Sequence, residues 1–329
     1  MTINDSSFLD DLTFTDLHAH VGGSVPPHDI FEIAKEQGLK LPTKSYDEFI
    51  DQYIVHGAIK HKRYLDKFKL TQKIQSSPLA MEKSVYKAIS NAYRSSSVRY
   101  LELRFNPILR NNEGYYDVDN IILSAIIGMK KAMMAYDITC GLIIETDRTF
   151  DSAKSEVLAK KALKYQGDGI VGFDMSGHTT PEFSLSTHKA AFNSLYVNGF
   201  YNITCHTGEA TDHKEIKQVI RDYNVKRLGH GIKAAFDKDT MKFIKEKNIV
   251  LEICPTSNLM LGVVKDMDEL KFVMQTLFEN DVEFTINTDG SEFLNTTVKN
   301  EYKMLFDNGI FDKEQLISIN KKSMLHTFS

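Results

Sequence analysis

The chain has 329 residues, 42% hydrophobic and 26% charged, and 40 basic against 44 acidic side chains leave a formal net charge of −4. That balance offers no basic surface for nucleic acid or an anionic membrane, and no apolar run approaches the roughly 20 residues that span a bilayer. The polar, acidic start from Met1 to Asp11 does not read as a signal peptide, and the widely spaced Cys140, Cys205 and Cys254 suit a reduced, cytoplasmic protein.

An apolar run from Leu12 ends in Asp16-Leu17-His18-Ala19-His20 and predicts a first strand. Gly22-Gly23-Ser24 and Pro26-Pro27 then open a helix over Asp29–Gln37. Ser45–Ser76 reads as helices carrying Phe49, Tyr53, Tyr64 and Phe68. It forms an inserted helical segment (about residues 40–80) that could be a lid over a pocket or could simply pack on the body. A helix over Leu79–Ser96 leads to a second strand, Val98–Phe105. From there helices and short apolar strands alternate. The strands are expected at Ile138–Glu145, Ile170–Asp174, Tyr201–Cys205, Arg227–His230, Ile249–Cys254 and Val282–Asn287. The helices fall at Val118–Tyr136, Ser152–Tyr165, Ser186–Asn198, Asp212–Tyr223, Lys238–Lys247 and Met267–Asn280. Two further helices, Thr296–Asp307 and Lys313–Lys321, close the chain. Near-continuous apolar strands separated by helices imply a parallel sheet buried on both faces. Eight of them predict an α/β fold, a (β/α)8 TIM barrel, read as one domain over residues 1–329.

In such barrels the active site lies at the C-terminal mouth. The first strand ends in His18 and His20, and the fifth runs into His206-Thr207-Gly208-Glu209. The sixth ends in Gly229-His230-Gly231 and the eighth in Asn287-Thr288-Asp289-Gly290. Strand residues i and i+2 share a face, so His18 and His20 can present both rings to one ion. His18, His20, His206 and Asp289 form a set for a catalytic divalent ion, with zinc leading because nitrogen and oxygen donors suit it. Such an ion brings the pKa of bound water to about 7. Glu209 lies beyond the strand, where it can act as general acid or base without being a ligand. His230 can share a hydrogen bond with the bound water. These residues describe metal-assisted hydrolysis of a polar carbon centre, without naming a substrate.

The strings Asp16-Leu17-His18-Ala19-His20-x-x-Gly23-Ser24, His206-Thr207-Gly208-Glu209-Ala210, Gly229-His230-Gly231, Glu252-Ile253-Cys254-Pro255-Thr256-Ser257-Asn258 and Asn287-Thr288-Asp289 together resemble the ordered signatures of the adenosine deaminase family. Asn295-Thr296-Thr297-Val298-x-x-Glu301-Tyr302 resembles its bacterial members. The resemblance implies one zinc ion held by His18, His20, His206 and Asp289, and a purine as the small-molecule partner. Glu209 would protonate purine N1. Zinc-activated water would attack C6, oriented by His230 and Asp289, and ammonia would leave a 6-oxopurine. Gly177 matches the family's glycine whose backbone N–H faces purine N3, although a turn would ask for glycine equally. The residues expected on the substrate side are His20, Gly22, Gly177 and Gly290.

Two positions depart from the family pattern. Its ribose-binding aspartate is here Gly22, and the second aspartate of its Thr-Asp-Asp motif, which faces N7, is Gly290. Both changes remove a carboxylate from substrate recognition, and Gly22 would leave room for a larger substituent at the ribose end. The leading expectation is conversion of adenosine or 2′-deoxyadenosine to inosine or 2′-deoxyinosine. The alternatives are another 6-aminopurine (a 5′-modified adenosine, adenine or an N6-substituted adenine), a non-catalytic purine-binding protein, and an amidohydrolase of non-purine rings. Ser257 and Asn258 are expected to cap the helix after Pro255. His178 carries no motif; it follows Gly177 and could reach the pocket, which is the less favoured reading, and His56 and His61 read as surface histidines.

Overall fold

A computed structural model describes residues 6–111, 114 and 117–329, so the first five residues of the acidic start lie outside it. Eight strands run in the order β1 (Phe14–His20), β2 (Val98–Phe105), β3 (Thr139–Asp147), β4 (Ile170–Ser176), β5 (His206–Thr207), β6 (Arg227–His230), β7 (Val250–Ile253) and β8 (Phe284–Ile286). They pair in parallel, β1 to β4 in one run and β5 to β8 in a second. A bridge between Phe173 and Ile203 joins the runs on one side, and a bridge between Ala19 and Asp289 closes the barrel on the other.

That closing seam is made by the residues expected to bind metal. His20 N donates to Asp289 O at 2.7 Å, and Asp289 N donates to His18 O at 2.8 Å. Side chains reinforce it. Leu17 N donates to Asn287 Oδ1 at 2.9 Å, and Thr288 Oγ1 donates to Asp16 Oδ2 at 2.6 Å. Closure of the barrel and alignment of the site are therefore one event.

The helices match expectation within one or two residues at each end, and their caps explain where they start. Ser77, Asp151, Asp237, Asp266 and Thr297 each accept a hydrogen bond from a first-turn N–H, and Asp312 forms a capping box with Gln315. The fifth strand is the main departure. Tyr201–Cys205 occupies the expected place but is not a regular strand, and only His206–Thr207 forms a ladder. Phe173 N donates to Asn202 O (3.1 Å), Thr204 N donates to Phe173 O (2.9 Å) and Gly229 N donates to Cys205 O (2.9 Å). The segment thus bonds to both neighbours without a continuous run to either.

Leu101, Leu103 and Phe105 of β2 belong to the apolar core, while the alternate residues Glu102 and Arg104 are fully buried in a polar network. Arg104 pairs with Asp174 (2.9 Å) and Glu252 (2.8 Å), and Arg227 pairs with Glu252 (2.7 Å) and Glu102 (2.5 Å). The near-terminal residues cover the same network. Phe328 N and Thr327 Oγ1 donate to Glu102, and the Phe328 ring lies 3.5 Å from the Arg227 guanidinium carbon. The inserted segment forms the helices Tyr46–Tyr53 and His61–Ile74. His61, Tyr64 and Phe68 share one face by their spacing, and that face meets the mouth of the barrel. No helix among the described residues is long and apolar enough to cross a membrane.

Candidate active site

Three imidazoles converge at the mouth, each held from behind by a carboxylate. His18 Nδ1 lies 2.7 Å from Glu252 Oε2, His20 Nδ1 3.1 Å from Glu145 Oε1, and His206 Nδ1 3.0 Å from Asp174 Oδ2. A carboxylate only accepts, so Nδ1 of His18 and of His206 carries a proton, and the neutral ring leaves Nε2 with a lone pair. Those lone pairs face one another. His20 Nε2 is 3.2 Å from His206 Nε2 and 3.5 Å from Asp289 Oδ1, while His18 Nε2 is buried with no hydrogen-bond partner among the described residues. Burial and the nearby Arg104 charge hold His18 well below its ordinary pKa, in the neutral form that ligates metal.

Electron-rich atoms crowded without donors between them call for a cation. His18, His20 and Asp289 offer atoms within 4.8 Å of one another, as do His18, His206 and His230, and His20, Glu145 and His206. The expected donors His18, His20, His206 and Asp289 therefore fit a divalent metal, with a carboxylate behind each histidine as such ligands usually have. Glu145, Asp174 and Glu252 were not anticipated as supports. Their signal was present, a carboxylate near the end of each of three apolar strands.

Asp289 and His230 both adopt left-handed backbone angles, φ 64° and 59°, which non-glycine residues seldom take. The turn brings each side chain back over the barrel mouth. Ser257 Oγ donates to Asp289 Oδ2 at 2.6 Å, leaving Oδ1 toward His20. Asn258 Nδ2 donates to His230 Nδ1 at 3.2 Å, so the His230 proton sits on Nε2, 3.6 Å from Glu209 Oε2. Ser257 and Asn258 thus position two site residues; the helix Pro255–Met260 has no side-chain cap, contrary to the expected capping role.

Glu209 lies on the same cavity, of about 370 Å³, whose wall also includes His20, Gly177, His206, His230 and Asp289. Burial works to raise its pKa, but the imidazoles of His230 and His61 outweigh that and hold it well below the usual carboxylate range. His61 is not a surface residue. Its Nε2 is 3.4 Å from Glu209 Oε2, and His178 also lines the cavity. The first-turn position of His61, on the face of Tyr64 and Phe68, was the signal available in the sequence. His56, by contrast, is exposed and pairs with Asp51.

The substrate-side glycines divide. Gly177 lines the cavity at φ 98°, and a Cβ there would lie 2.5 Å from Asp147 Oδ2. Gly22 and Gly290 are not among the lining residues. A Cβ on Gly22 would meet Phe68 Cδ1 at 2.8 Å and Thr71 Oγ1 at 2.9 Å, so the room expected there is already taken by the inserted helix. A Cβ on Gly290 would meet Tyr64 Oη at 2.6 Å, and that phenol is buried. The insertion fills what the two missing carboxylates vacate.

A parallel (β/α)8 barrel with a three-histidine, one-aspartate cluster at its mouth and a carboxyl group beside it is the arrangement of a metal-dependent hydrolase. The adenosine deaminase family model matches residues 14–329. An adenosine deaminase of Clostridium botulinum is 32% identical over 291 residues, 88% of this chain and 86% of that one. Among solved structures, adenine deaminase from Arthrobacter aurescens superposes with a TM-score of 0.86 at 18% identity, covering 96% of this chain and 94% of that chain. N6-methyl-AMP deaminase from Arabidopsis thaliana gives 0.82 at 23% identity, covering 98% and 94%. The chain belongs to the adenosine deaminase family and is an aminohydrolase of that kind.

Proposed function

We propose that the protein is a zinc-dependent hydrolytic deaminase of 6-aminopurines carried on a sugar, adenosine and 2′-deoxyadenosine being the parent compounds and inosine, 2′-deoxyinosine and ammonia the products. The observation that carries this reading is Glu209, a carboxyl group on the wall of the cavity that the metal donors share, facing His230 and not engaged by those donors. A purely binding protein has no use for that combination.

His18, His20, His206 and Asp289 would hold the ion, and a bound zinc supplies Lewis acidity that brings a water molecule's pKa to about 7. The protein's own groups do the remainder. Glu209, ionised in the free protein, accepts a proton from the attacking water and passes it to the ring nitrogen next to the amino-bearing carbon, which makes that carbon electrophilic. His230, with Nδ1 held by Asn258, directs its Nε2–H toward the attacking oxygen. Ser257 occupies Asp289 Oδ2 and leaves Oδ1 as the oxygen that would face the ion. The backbone N–H at Gly177 lies on the wall, where it can meet the other side of the ring. Phe68, edge-on to His20 with ring centroids 5.6 Å apart, and the buried Tyr64 limit water at the reacting face.

The test is turnover by metal-loaded protein, followed as ammonia release and the ultraviolet shift from amino- to oxopurine. Glu209→Gln abolishes ammonia release and leaves metal content unchanged. Stoichiometric zinc with no ammonia from any 6-aminopurine would instead favour a purine-binding protein.

A further inference from the structure

Four arginines are at least nine-tenths buried: Arg104, Arg110, Arg148 and Arg227. Three have carboxylate partners. Arg104 pairs with Asp174 and Glu252, Arg148 with Glu215 at 2.6 Å, and Arg227 with Glu102 and Glu252. Arg110 has no carboxylate within 4.0 Å among the described residues, although it is only 2% exposed. Its Nε donates to Gln75 Oε1 at 3.0 Å and its Nη1 to Asn106 O at 3.2 Å, both neutral acceptors. Glu145, the acidic group whose charge reaches it, faces His20. Burial pushes the guanidinium down to about 10, which leaves it charged at neutral pH. A buried, charged group without a counter-charge is costly unless a ligand supplies one.

Arg110 lies on the wall of the cavity that holds Glu209 and the metal donors. Its Nη2 is 3.3 Å from the position a Cβ on Gly22 would take, so the absent side chain at Gly22 adds no carboxylate to neutralise it. Asn106 lines the same wall, and its Nδ2 is buried with no hydrogen-bond partner among the described residues. A guanidinium with no carboxylate partner among the described residues and an amide donor therefore stand together in a cavity whose other end performs the chemistry. A planar guanidinium with a neighbouring amide suits a phosphoryl oxygen pair.

We infer that Arg110 and Asn106 form a subsite for an anionic group at the far end of the substrate from the reacting amino group, which makes the preferred substrate a 6-aminopurine nucleoside 5′-phosphate. This inference rests on the deaminase reading for the placement of the purine ring, and not for the existence of the anion subsite. Arg148, the other buried arginine on that wall, is already committed to Glu215 and to the His206 carbonyl at 2.7 Å.

The experiment compares adenosine with adenosine 5′-monophosphate as substrates of the zinc-loaded protein, and inosine with inosine 5′-monophosphate as ligands by calorimetry. Each is measured for wild type, Arg110→Lys and Arg110→Met, with thermal melting to confirm that the variants fold. Loss of a charged hydrogen-bond partner predicts that Arg110→Met lowers kcat/KM for the monophosphate roughly 10- to 100-fold more than for adenosine, mainly through KM. Arg110→Lys, which keeps the charge, falls between. The same ranking is expected in the binding of the two inosine compounds. Equal handling of nucleoside and monophosphate by wild type, or equal losses on both in Arg110→Met, overturns the inference. Inhibition by inorganic phosphate alone, with no preference between the two substrates, also overturns it. If neither compound is deaminated, the deaminase reading fails, and preferential binding of inosine 5′-monophosphate over inosine, lost in Arg110→Met, still decides the subsite.

Discussion

Replacing Glu252 by Gln tests how the buried charges support the site. Glu252 accepts four hydrogen bonds, from His18 Nδ1 (2.7 Å) and Arg104 Nη2 (2.8 Å) on Oε2, and from Arg227 Nε (2.7 Å) and Thr204 Oγ1 (3.0 Å) on Oε1. The substitution keeps the shape and removes the charge. Arg104 retains Asp174 and Arg227 retains Glu102, so each cation loses one of two partners. The amide must also place an N–H against a guanidinium or against the proton on His18. Breaking a buried ion pair from one side costs about 3–5 kcal/mol, a large share of the roughly 5–15 kcal/mol by which domains are stable. Loss of the carboxylate behind a ligating histidine weakens metal binding about 10- to 100-fold. Urea unfolding of chelator-treated protein reads the first effect, and competition with a chromophoric zinc chelator reads the second. Thr204→Val serves as the scale, since it removes one neutral donor from the same carboxylate at about 1 kcal/mol. A Glu252→Gln protein within about 1 kcal/mol of wild type, with zinc affinity within threefold, would refute the account.

Burial pushes Glu301 up to about 7 from an ordinary 4.5, and Asp16 up to about 6 from 3.8. Raised folded-state values mean that the native protein holds these protons more tightly than the unfolded chain, so their contribution is complete at low pH and is lost as pH rises through the folded values. For Glu301 the interval corresponds to roughly 3 kcal/mol between about pH 4.5 and 7. Glu301→Gln, whose amide can still serve Thr296 Oγ1 and Thr256 N, should flatten that decline in urea unfolding measured at pH 5 and pH 8. An unchanged slope would show that the carboxyl titrates normally. Ser257→Ala frees Asp289 Oδ2 from its 2.6 Å hydrogen bond and is expected to lower zinc affinity about 10-fold or more while the fold persists. Zinc affinity within twofold of wild type would reduce Ser257 to a packing role.

Much of this architecture was legible because strand ends and chemistry coincide. Apolar runs stopping in His18, His20, His206, His230 and Asp289 predicted both the barrel and its mouth, and these residues do converge there. The interior was harder to read. Leu101-Glu102-Leu103-Arg104 alternates as a half-solvated strand would, yet Glu102 and Arg104 face a sealed ionic network. Only partners from β4, β6 and β7 make that burial tolerable, and no local pattern announces partners so far apart in the chain. Tyr201–Cys205 fails as a strand for a similar reason, since its regularity depends on neighbours on both sides. The insertion was recognised as helical, but the direction in which it packs was not encoded by its periodicity. His61 consequently looked like surface, and Gly22 like open space, when the helix His61–Ile74 supplies the cavity wall at both.

The central claim is that His18, His20, His206 and Asp289 share one ion. An anomalous difference map at the zinc edge, from crystals of the zinc-loaded protein, tests it most directly. The account predicts one peak per chain, about 2.0–2.2 Å from the Nε2 atoms of the three histidines and from an Asp289 oxygen. A peak bound elsewhere, or one that leaves Asp289 or any of the three histidines out of its coordination sphere, would contradict it.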